Sequence, residues 1–171
     1  MARIAATTIR MLLMPPESLT LDLSDPDATR SLGRALAERL FPGAVVGLVG
    51  PLGAGKTFLV RAVAEGLGIP DSRVVSSPTF VLIQEYDARL PVYHFDAYRL
   101  PDAAAFVDLG VHEYFEGKGV CLVEWADRVP ACLPAEYLRV AIEVTGPTSR
   151  RAHVEGYGER YRQLVRDLRS V

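Results

Sequence analysis

The sequence is poor in several residue types and patterns that define large classes of protein. Two cysteines among 171 residues, Cys121 and Cys132, are too few for a disulfide framework or a four-ligand zinc site, so a reducing, cytoplasmic setting is expected. Lysine occurs twice against seventeen arginines, and the net charge of −2 argues against a strongly basic nucleic-acid binder. No apolar run approaches the roughly 20 residues that span a bilayer, so we expect no membrane segment.

The chain is nevertheless rich enough in apolar residues to form one folded domain. Hydrophobic residues make up 49% of it and charged residues 23%, which is ordinary for a globular protein, and its length is typical of a single domain. We interpret residues 18–171 as that domain and residues 1–17 as a frayed N-terminal extension. The apolar core of the extension, residues 11–14, is too short for a secretory signal, which needs about 7–15 apolar residues.

Hydrophobic spacing alternates between strand and helix patterns along the domain. Strand-like alternation and short buried apolar runs predict strands at residues 18–23, 44–49, 80–86, 92–98, 119–125, 140–144 and 152–155. Spacing of three to four residues predicts helices at residues 28–40, 57–67, 101–109 and 159–169. Strands and helices alternate early in the chain, whereas the later strands look like antiparallel pairs. We therefore predict an α/β fold, a three-layer sandwich around one mixed, mostly parallel sheet.

One motif decides the class of this fold. Residues 50–57 read GPLGAGKT and fit the pattern G-x-x-x-x-G-K-[ST] without a mismatch, between an apolar run and a helical pattern as the motif requires. The Lys56 ammonium can neutralise the β and γ oxygens of a triphosphate, and the Thr57 hydroxyl suits Mg²⁺. The small residues that let main-chain amides approach the phosphates are Gly53, Ala54 and Gly55. The motif predicts a P-loop NTPase that binds a nucleoside triphosphate with Mg²⁺.

Two acidic residues follow apolar runs at the ends of predicted strands. Glu124 comes after four apolar residues, and Asp96 ends the run that begins at Val92. Phosphate transfer needs carboxylates that hold Mg²⁺ and orient water, and the carboxyl ends of strands in such a sheet lie near the phosphate loop. Both residues are therefore candidates for these roles. The alternatives are an exposed acid after a strand for Glu124 and a turn-capping residue for Asp96.

Other polar and aromatic residues carry weaker signals. Thr79, in a hydroxyl-rich loop, is a candidate contact for the metal or the γ-phosphate, and a plain turn before a strand is the alternative. The three histidines show no metal-ligand spacing and are interpreted as structural. Trp125 is interpreted as a core or lid residue.

The motifs taken together resemble the TsaE (YjeE) family of small bacterial P-loop ATPases. The segments that carry the resemblance occur in the family's order and spacing and are Gly50–Thr57, Ser77–Phe80, Glu85–Tyr86, Tyr93–Leu100 and Leu122–Trp125. A glycine-rich phosphate loop alone is generic, whereas the complete set is specific. One departure is Pro51, which stands where family members usually have an acid. This position is not a main phosphate donor, so we expect little loss.

The resemblance implies a subunit that binds and hydrolyses ATP, weakly on its own, for the formation of N6-threonylcarbamoyladenosine at position 37 of tRNAs that read ANN codons. It implies action on a TsaB–TsaD pair, in which TsaD performs the carbamoyl transfer, with tRNA contacted only through that complex. Carried over by motif, Lys56 is catalytic, Thr57 and Glu124 hold Mg²⁺, and Asp96 orients or activates water, although the two acids could exchange roles. The residues implied to contact the nucleotide are Gly53, Ala54, Gly55, Lys56, Thr57 and Phe58, with Thr29 and Arg150 on the adenine side.

Three other functions compete with this interpretation. A small-molecule kinase needs an acceptor pocket and usually an arginine-bearing lid, and the sequence shows no clear lid segment. A GTPase normally carries an N/T-K-x-D motif that reads the base, and the sequence has none. A nucleotide-gated binding module, in which ATP occupancy and not hydrolysis matters, is the third alternative.

Overall fold

The computed structural model describes residues 14–78 and 81–170. Within these residues one sheet contains the strands β1 (Glu17–Leu23), β2 (Val45–Val49), β3 (Ile83–Tyr86), β4 (Val92–Asp96), β5 (Val120–Glu124), β6 (Tyr137–Val144) and β7 (Arg150–Tyr157). The helices are α1 (Pro26–Arg39), α2 (Lys56–Gly66), α3 (Ala103–Val107), α4 (Val111–Phe115) and α5 (Glu159–Leu168). None of these described helices is long and apolar enough to cross a membrane.

The sheet is mixed, and its strand order is β1–β7–β6–β2–β5–β4–β3. The four central strands are parallel, because β2 pairs in parallel with β6 and β5, and β5 with β4. The outer pairings β1–β7, β7–β6 and β4–β3 are antiparallel. The prediction of a mostly parallel sheet is therefore wrong, since the described pairings divide equally. Short turns rather than helices join β3 to β4 and β6 to β7, and such hairpins give antiparallel partners.

The helical segment between β4 and β5 also differs from its prediction. One helix was expected over residues 101–109, but the chain forms two five-residue helices, α3 and α4. Gly110 separates them in a left-handed conformation with φ of 74°, which glycine adopts without steric cost. The first of them lies within the expected range, whereas α4, which follows Gly110, was not predicted.

Alternate residues of the central strands face two separate apolar cores. Val46 of β2 and Leu122 of β5 belong to the core beneath α1, α2 and α5. Val45 and Cys121, their neighbours in sequence, belong to the core beneath α3 and α4. A strand that is apolar on both faces is the pattern of a sheet covered on both sides. The three layers predicted from the sequence are therefore present.

Two glycines allow α1 and α2 to pack closely. A Cβ atom added at Gly33 of α1 would overlap the Cβ of Ala62 on α2, and one added at Gly66 of α2 would overlap the Cβ of Ala37 on α1. Each glycine thus faces an alanine across the helix–helix contact. This contact fixes the position of α2, the helix that begins at Lys56, beside α1.

The carboxyl ends of the parallel strands meet at one edge of the sheet. Leu48 of β2 and Asp96 of β4 are both in register with Glu124, the last residue of β5. The chain leaves β2 at this edge through residues 50–55, which we call the glycine-rich loop, and enters α2 at Lys56. Ligands of open α/β sheets commonly bind at such an edge. The fold therefore brings the loop and both predicted acids to one place.

Candidate nucleotide-binding site

The glycine-rich loop has a backbone that only glycine adopts easily at three points, one of which is Gly53 with φ of 77°. Gly50 has φ of 149°, and a Cβ there would lie 2.5 Å from the carbonyl oxygen of Ile142. Gly55 has φ of 104° and precedes the first residue of α2 without a side-chain cap. The first amides of α2 are therefore left for another acceptor, and the positive end of the helix dipole favours an anion there.

The Lys56 side chain lies across the mouth of this loop. Its Nζ donates hydrogen bonds to the carbonyl oxygens of Gly50 at 2.7 Å and Pro51 at 2.9 Å. The residue is only 4% exposed. Burial lowers the pKa of Lys56, and the nearby carboxylates, Glu124 above all, counteract part of this shift. A desolvated ammonium held by weak carbonyl acceptors is well placed to contact phosphate oxygens instead.

Trp125, interpreted from the sequence as a core or lid residue, covers this ammonium. Lys56 Nζ lies 3.6 Å from the centroid of the indole ring, within cation–π range. The ring also packs on Tyr98, with centroids 4.7 Å apart. Trp125 has φ of 59°, an uncommon value for a bulky residue. Trp125 adopts this conformation directly after β5, and its ring lies over Lys56.

Thr57 and Glu124, predicted as a pair, are in direct contact. Thr57 Oγ1, on the first turn of α2, lies 2.8 Å from Glu124 Oε1 and 3.0 Å from Oε2 and donates to this carboxylate. Glu124 is 2% exposed, so it is not the exposed acid that the alternative interpretation expected. An uncompensated carboxylate at this depth would be costly, and the contacts around Glu124 provide the compensation.

His94 is the residue that sequence reasoning missed. It was interpreted as structural, yet its Nε2 lies 2.8 Å from Glu124 Oε1, and the side chain is fully buried. A signal was present in the sequence. His94 precedes Asp96 by two residues in the same predicted strand, and residues two apart in a strand face the same side of a sheet.

Asp96 lies beside Glu124 at the same edge and is also buried. Its Oδ2 accepts a hydrogen bond from Ser77 Oγ, and its Oδ1 accepts one of 2.8 Å from the main-chain amide of Tyr98. The second bond is the turn-capping contact considered as the alternative. Asp96 therefore caps a turn and also faces the loop that contains Ser77. The candidate Thr79 lies outside the described residues.

Of the remaining predicted residues, Arg150 contacts the glycine-rich loop. Arg150 Nε donates to Ala54 O at 2.9 Å, and its Nη2 lies 3.3 Å from Gly53 O. Thr29 is buried near the start of α1. The preceding strand, β1, ends at Leu23, which is the register partner of Arg150 on β7. Phe58, half-buried on α2, lies 5.6 Å below the guanidinium of Arg30.

The sequence is similar to proteins of one family. A family model described as threonylcarbamoyl adenosine biosynthesis protein TsaE matches residues 23–152. The chain belongs to the TsaE family. It is 45% identical over 145 residues to a Bacillus subtilis protein called tRNA threonylcarbamoyladenosine biosynthesis protein TsaE, covering 84% of this chain and 89% of that protein. A Treponema pallidum protein of the same name is 40% identical over 126 residues, covering 74% of this chain and 92% of that protein.

A solved structure shows the same fold. The crystal structure of Bacillus subtilis YdiB superposes with a TM-score of 0.79 at 38% identity, and the match covers 92% of this chain and 97% of that chain. The resemblance to the TsaE family noted from sequence motifs is thus confirmed. The TsaE family match contains the glycine-rich loop, Asp96, Glu124 and Arg150.

The oxygen donors of this TsaE-family site fit Mg²⁺ only together with a phosphate. Among the described residues, no group of three or more histidine, cysteine, aspartate or glutamate side chains could hold a metal ion. Mg²⁺ is commonly held by one or two carboxylates with substrate phosphates and water as further ligands. The Thr57 hydroxyl and the Glu124 carboxylate supply such a partial set. The residues present are therefore compatible with a metal ion that arrives with a nucleotide.

Proposed function

We propose that this TsaE-family protein is a P-loop ATPase that supports formation of N6-threonylcarbamoyladenosine at position 37 of tRNAs that read ANN codons. In this proposal it acts in the cytoplasm on a TsaB–TsaD complex and meets tRNA only through that complex. The observation that carries the ATPase proposal is the contact of Thr57 Oγ1 with Glu124, at 2.8 Å, beside the buried ammonium of Lys56. The pathway is supported by the family match and by the relatives' names.

The glycine-rich loop and α2 would bind the phosphates of ATP. The free amides at the start of α2 face the anion, and Lys56 Nζ exchanges the carbonyl oxygens of Gly50 and Pro51 for β and γ oxygens. Mg²⁺, when bound, offsets the negative charge of these oxygens. Arg150, which already donates to Ala54 O, holds the far side of the loop in place.

The two acids take different roles in this proposal. Glu124 contacts Thr57 and is therefore assigned to the metal, together with that hydroxyl. The Asp96 carboxylate is oriented by Ser77 and by the amide of Tyr98. We assign Asp96 to the attacking water, whose proton it accepts while the water oxygen bonds to the γ-phosphorus. The bond from that phosphorus to the β–γ bridging oxygen breaks, which yields ADP and phosphate.

The experiment that tests this proposal compares the two lysines of the chain. Lys56→Ala removes the ammonium of the loop, whereas Lys118→Ala removes an exposed ammonium in a turn far along the sequence. We expect Lys56→Ala to abolish ATP binding in calorimetry and to abolish tRNA modification in a reaction reconstituted with TsaB, TsaD and tRNA. Lys118→Ala should behave as the wild type. Normal modification with folded Lys56→Ala protein would refute the proposal.

The same reconstituted reaction separates hydrolysis from occupancy. If ATP acts only as a gating ligand, a non-hydrolysable analogue should support modification as well as ATP does. We expect the analogue to support binding to TsaB–TsaD but not repeated rounds of modification. Transfer of phosphate from ATP to a small metabolite would instead identify a kinase.

A further inference from the structure

His94 occupies a position where an apolar side chain would be the ordinary choice. The residue is fully buried on β4, and its register partner on β5 is Leu122, which belongs to the core beneath α1 and α2. Its Nδ1 atom is buried without a hydrogen-bond partner among the described residues. Burying a polar ring with half of its hydrogen-bonding capacity unused costs free energy. The remaining contact, to Glu124, is therefore the feature that distinguishes His94 from a leucine at this position.

The contact with Glu124 determines which ring nitrogen of His94 donates a hydrogen bond. An ionised carboxylate can only accept hydrogen bonds, so Nε2, which lies 2.8 Å from Glu124 Oε1, is the nitrogen that carries the proton. His94 thus donates one directed hydrogen bond to the carboxylate from within the sheet.

Glu124 is held from two sides. Thr57 donates from the helix side and reaches both carboxylate oxygens, whereas His94 donates to Oε1 from the strand side. The Thr57 bond joins Glu124 to α2, and the hydroxyl oxygen keeps lone pairs that a cation could use while its proton is donated. The His94 bond joins Glu124 to β4, so it holds the carboxylate from within the sheet.

We propose that His94 is a positioning residue that keeps the Glu124 carboxylate aimed at the metal position through the Nε2–H bond. This inference rests on the proposed nucleotide site. Groups that orient a metal-ligating side chain in this way typically change metal affinity by about 10–100-fold when they are lost. His94 touches neither the phosphate cradle nor Lys56 in the described contacts, so nucleotide binding without metal should not depend on it.

Binding measurements with three substitutions test this role. His94→Leu removes the donor, His94→Gln places an amide N–H near the position of Nε2, and His94→Asn places its amide near Nδ1, too short to reach Glu124. The probe is a non-hydrolysable ATP analogue, titrated by calorimetry in EDTA and again over a series of MgCl₂ concentrations. Thermal unfolding followed by circular dichroism confirms that each variant is folded, and if the leucine variant is not, the glutamine and asparagine variants carry the comparison.

The expected result is a change in Mg²⁺ dependence alone. In EDTA all folded variants should bind the analogue within about twofold of the wild type, because the loop is intact. The Mg²⁺ concentration that gives half of the maximal affinity gain should rise about 10–100-fold for His94→Leu and His94→Asn, and His94→Gln should recover most of this loss. An unchanged Mg²⁺ requirement in His94→Leu or His94→Asn, or equal impairment of His94→Gln, would overturn the inference. Absence of binding by the wild-type protein would instead overturn the proposed nucleotide site itself.

Discussion

The two faces of the central sheet bury different kinds of residue. On β4 and β5, Phe95 and Val123 face α3 and α4 and lie in a core made of apolar and aromatic side chains. Their neighbours His94, Asp96 and Glu124 face the opposite side and are buried nearly as deeply. The same two strands therefore provide packing on one face and a polar cluster on the other. The comparison shows that burial by itself does not distinguish the structural residues of this sheet from its candidate catalytic ones.

The largest effect is expected from the apolar face. Phe95→Ala removes a ring whose centroid lies 5.4 Å from that of Tyr114 and 5.8 Å from that of Phe106. Such a truncation in a well-packed core lowers the free energy of unfolding by about 3–5 kcal/mol, which urea unfolding measures directly. ATP turnover per folded molecule should be retained at low temperature. A variant of wild-type stability would show that the Phe95 ring does not contribute to the packing of this face.

A substitution on the polar face should lower ATP turnover and leave the stability of the protein nearly unchanged. Asp96→Asn keeps the size of the side chain but removes the base assigned to the attacking water, so turnover should fall at least about 100-fold while ATP affinity and stability change little. Phosphate release measures the rate and calorimetry the affinity. Asp87→Asn, which alters an exposed carboxylate after β3, is the matched control. Full turnover by Asp96→Asn would remove Asp96 from the reaction.

A smaller effect tests the helices that cover the polar face. Gly33→Ala suits an α-helix locally, yet the new Cβ would overlap Ala62 on α2. Overpacking of this kind costs about 1–3 kcal/mol, more than the gain of roughly 1 kcal/mol from helix propensity. Thermal unfolding should show the loss. The double variant Gly33→Ala, Ala62→Gly removes the methyl–methyl overlap but leaves the new Cβ 2.9 Å from the main-chain carbon of residue 62. It should therefore recover only part of the stability, and no recovery at all would place the cause elsewhere.

The sequence predicted those site residues whose type is dictated by the chemistry. It predicted less well those whose contacts depend on how the strands pair. A loop that wraps phosphates needs glycines with positive φ, so residues 50–57 were found from the pattern alone. Acids at the ends of apolar runs pointed to Asp96 and Glu124 without knowledge of their neighbours. His94 was missed because its role depends on the register of β4 against β5, which no local pattern reports. The period of two along the strand places His94 on the same side of the sheet as Asp96, but it does not show that His94 contacts Glu124.

The fold was likewise predicted in part. The apolar runs predicted the strands of the sheet, but the proportion of parallel pairing was wrong, because sequence spacing does not state which strands become neighbours. The arrangement of α3 and α4 was missed because both helices are only one or two turns long. At that length hydrophobic periodicity carries little information, and the turn at Gly110 is the stronger signal.

A crystal structure with Mg²⁺ and a non-hydrolysable ATP analogue tests the central claim most directly. We expect the phosphates in the glycine-rich loop, the metal about 2.1 Å from Thr57 Oγ1 and next to Glu124, and Asp96 facing the γ-phosphate. The contradicting result is a nucleotide bound elsewhere with the loop unchanged. The most telling alternative location is the cavity of about 550 Å³ lined by Arg30, Arg34 and Arg73.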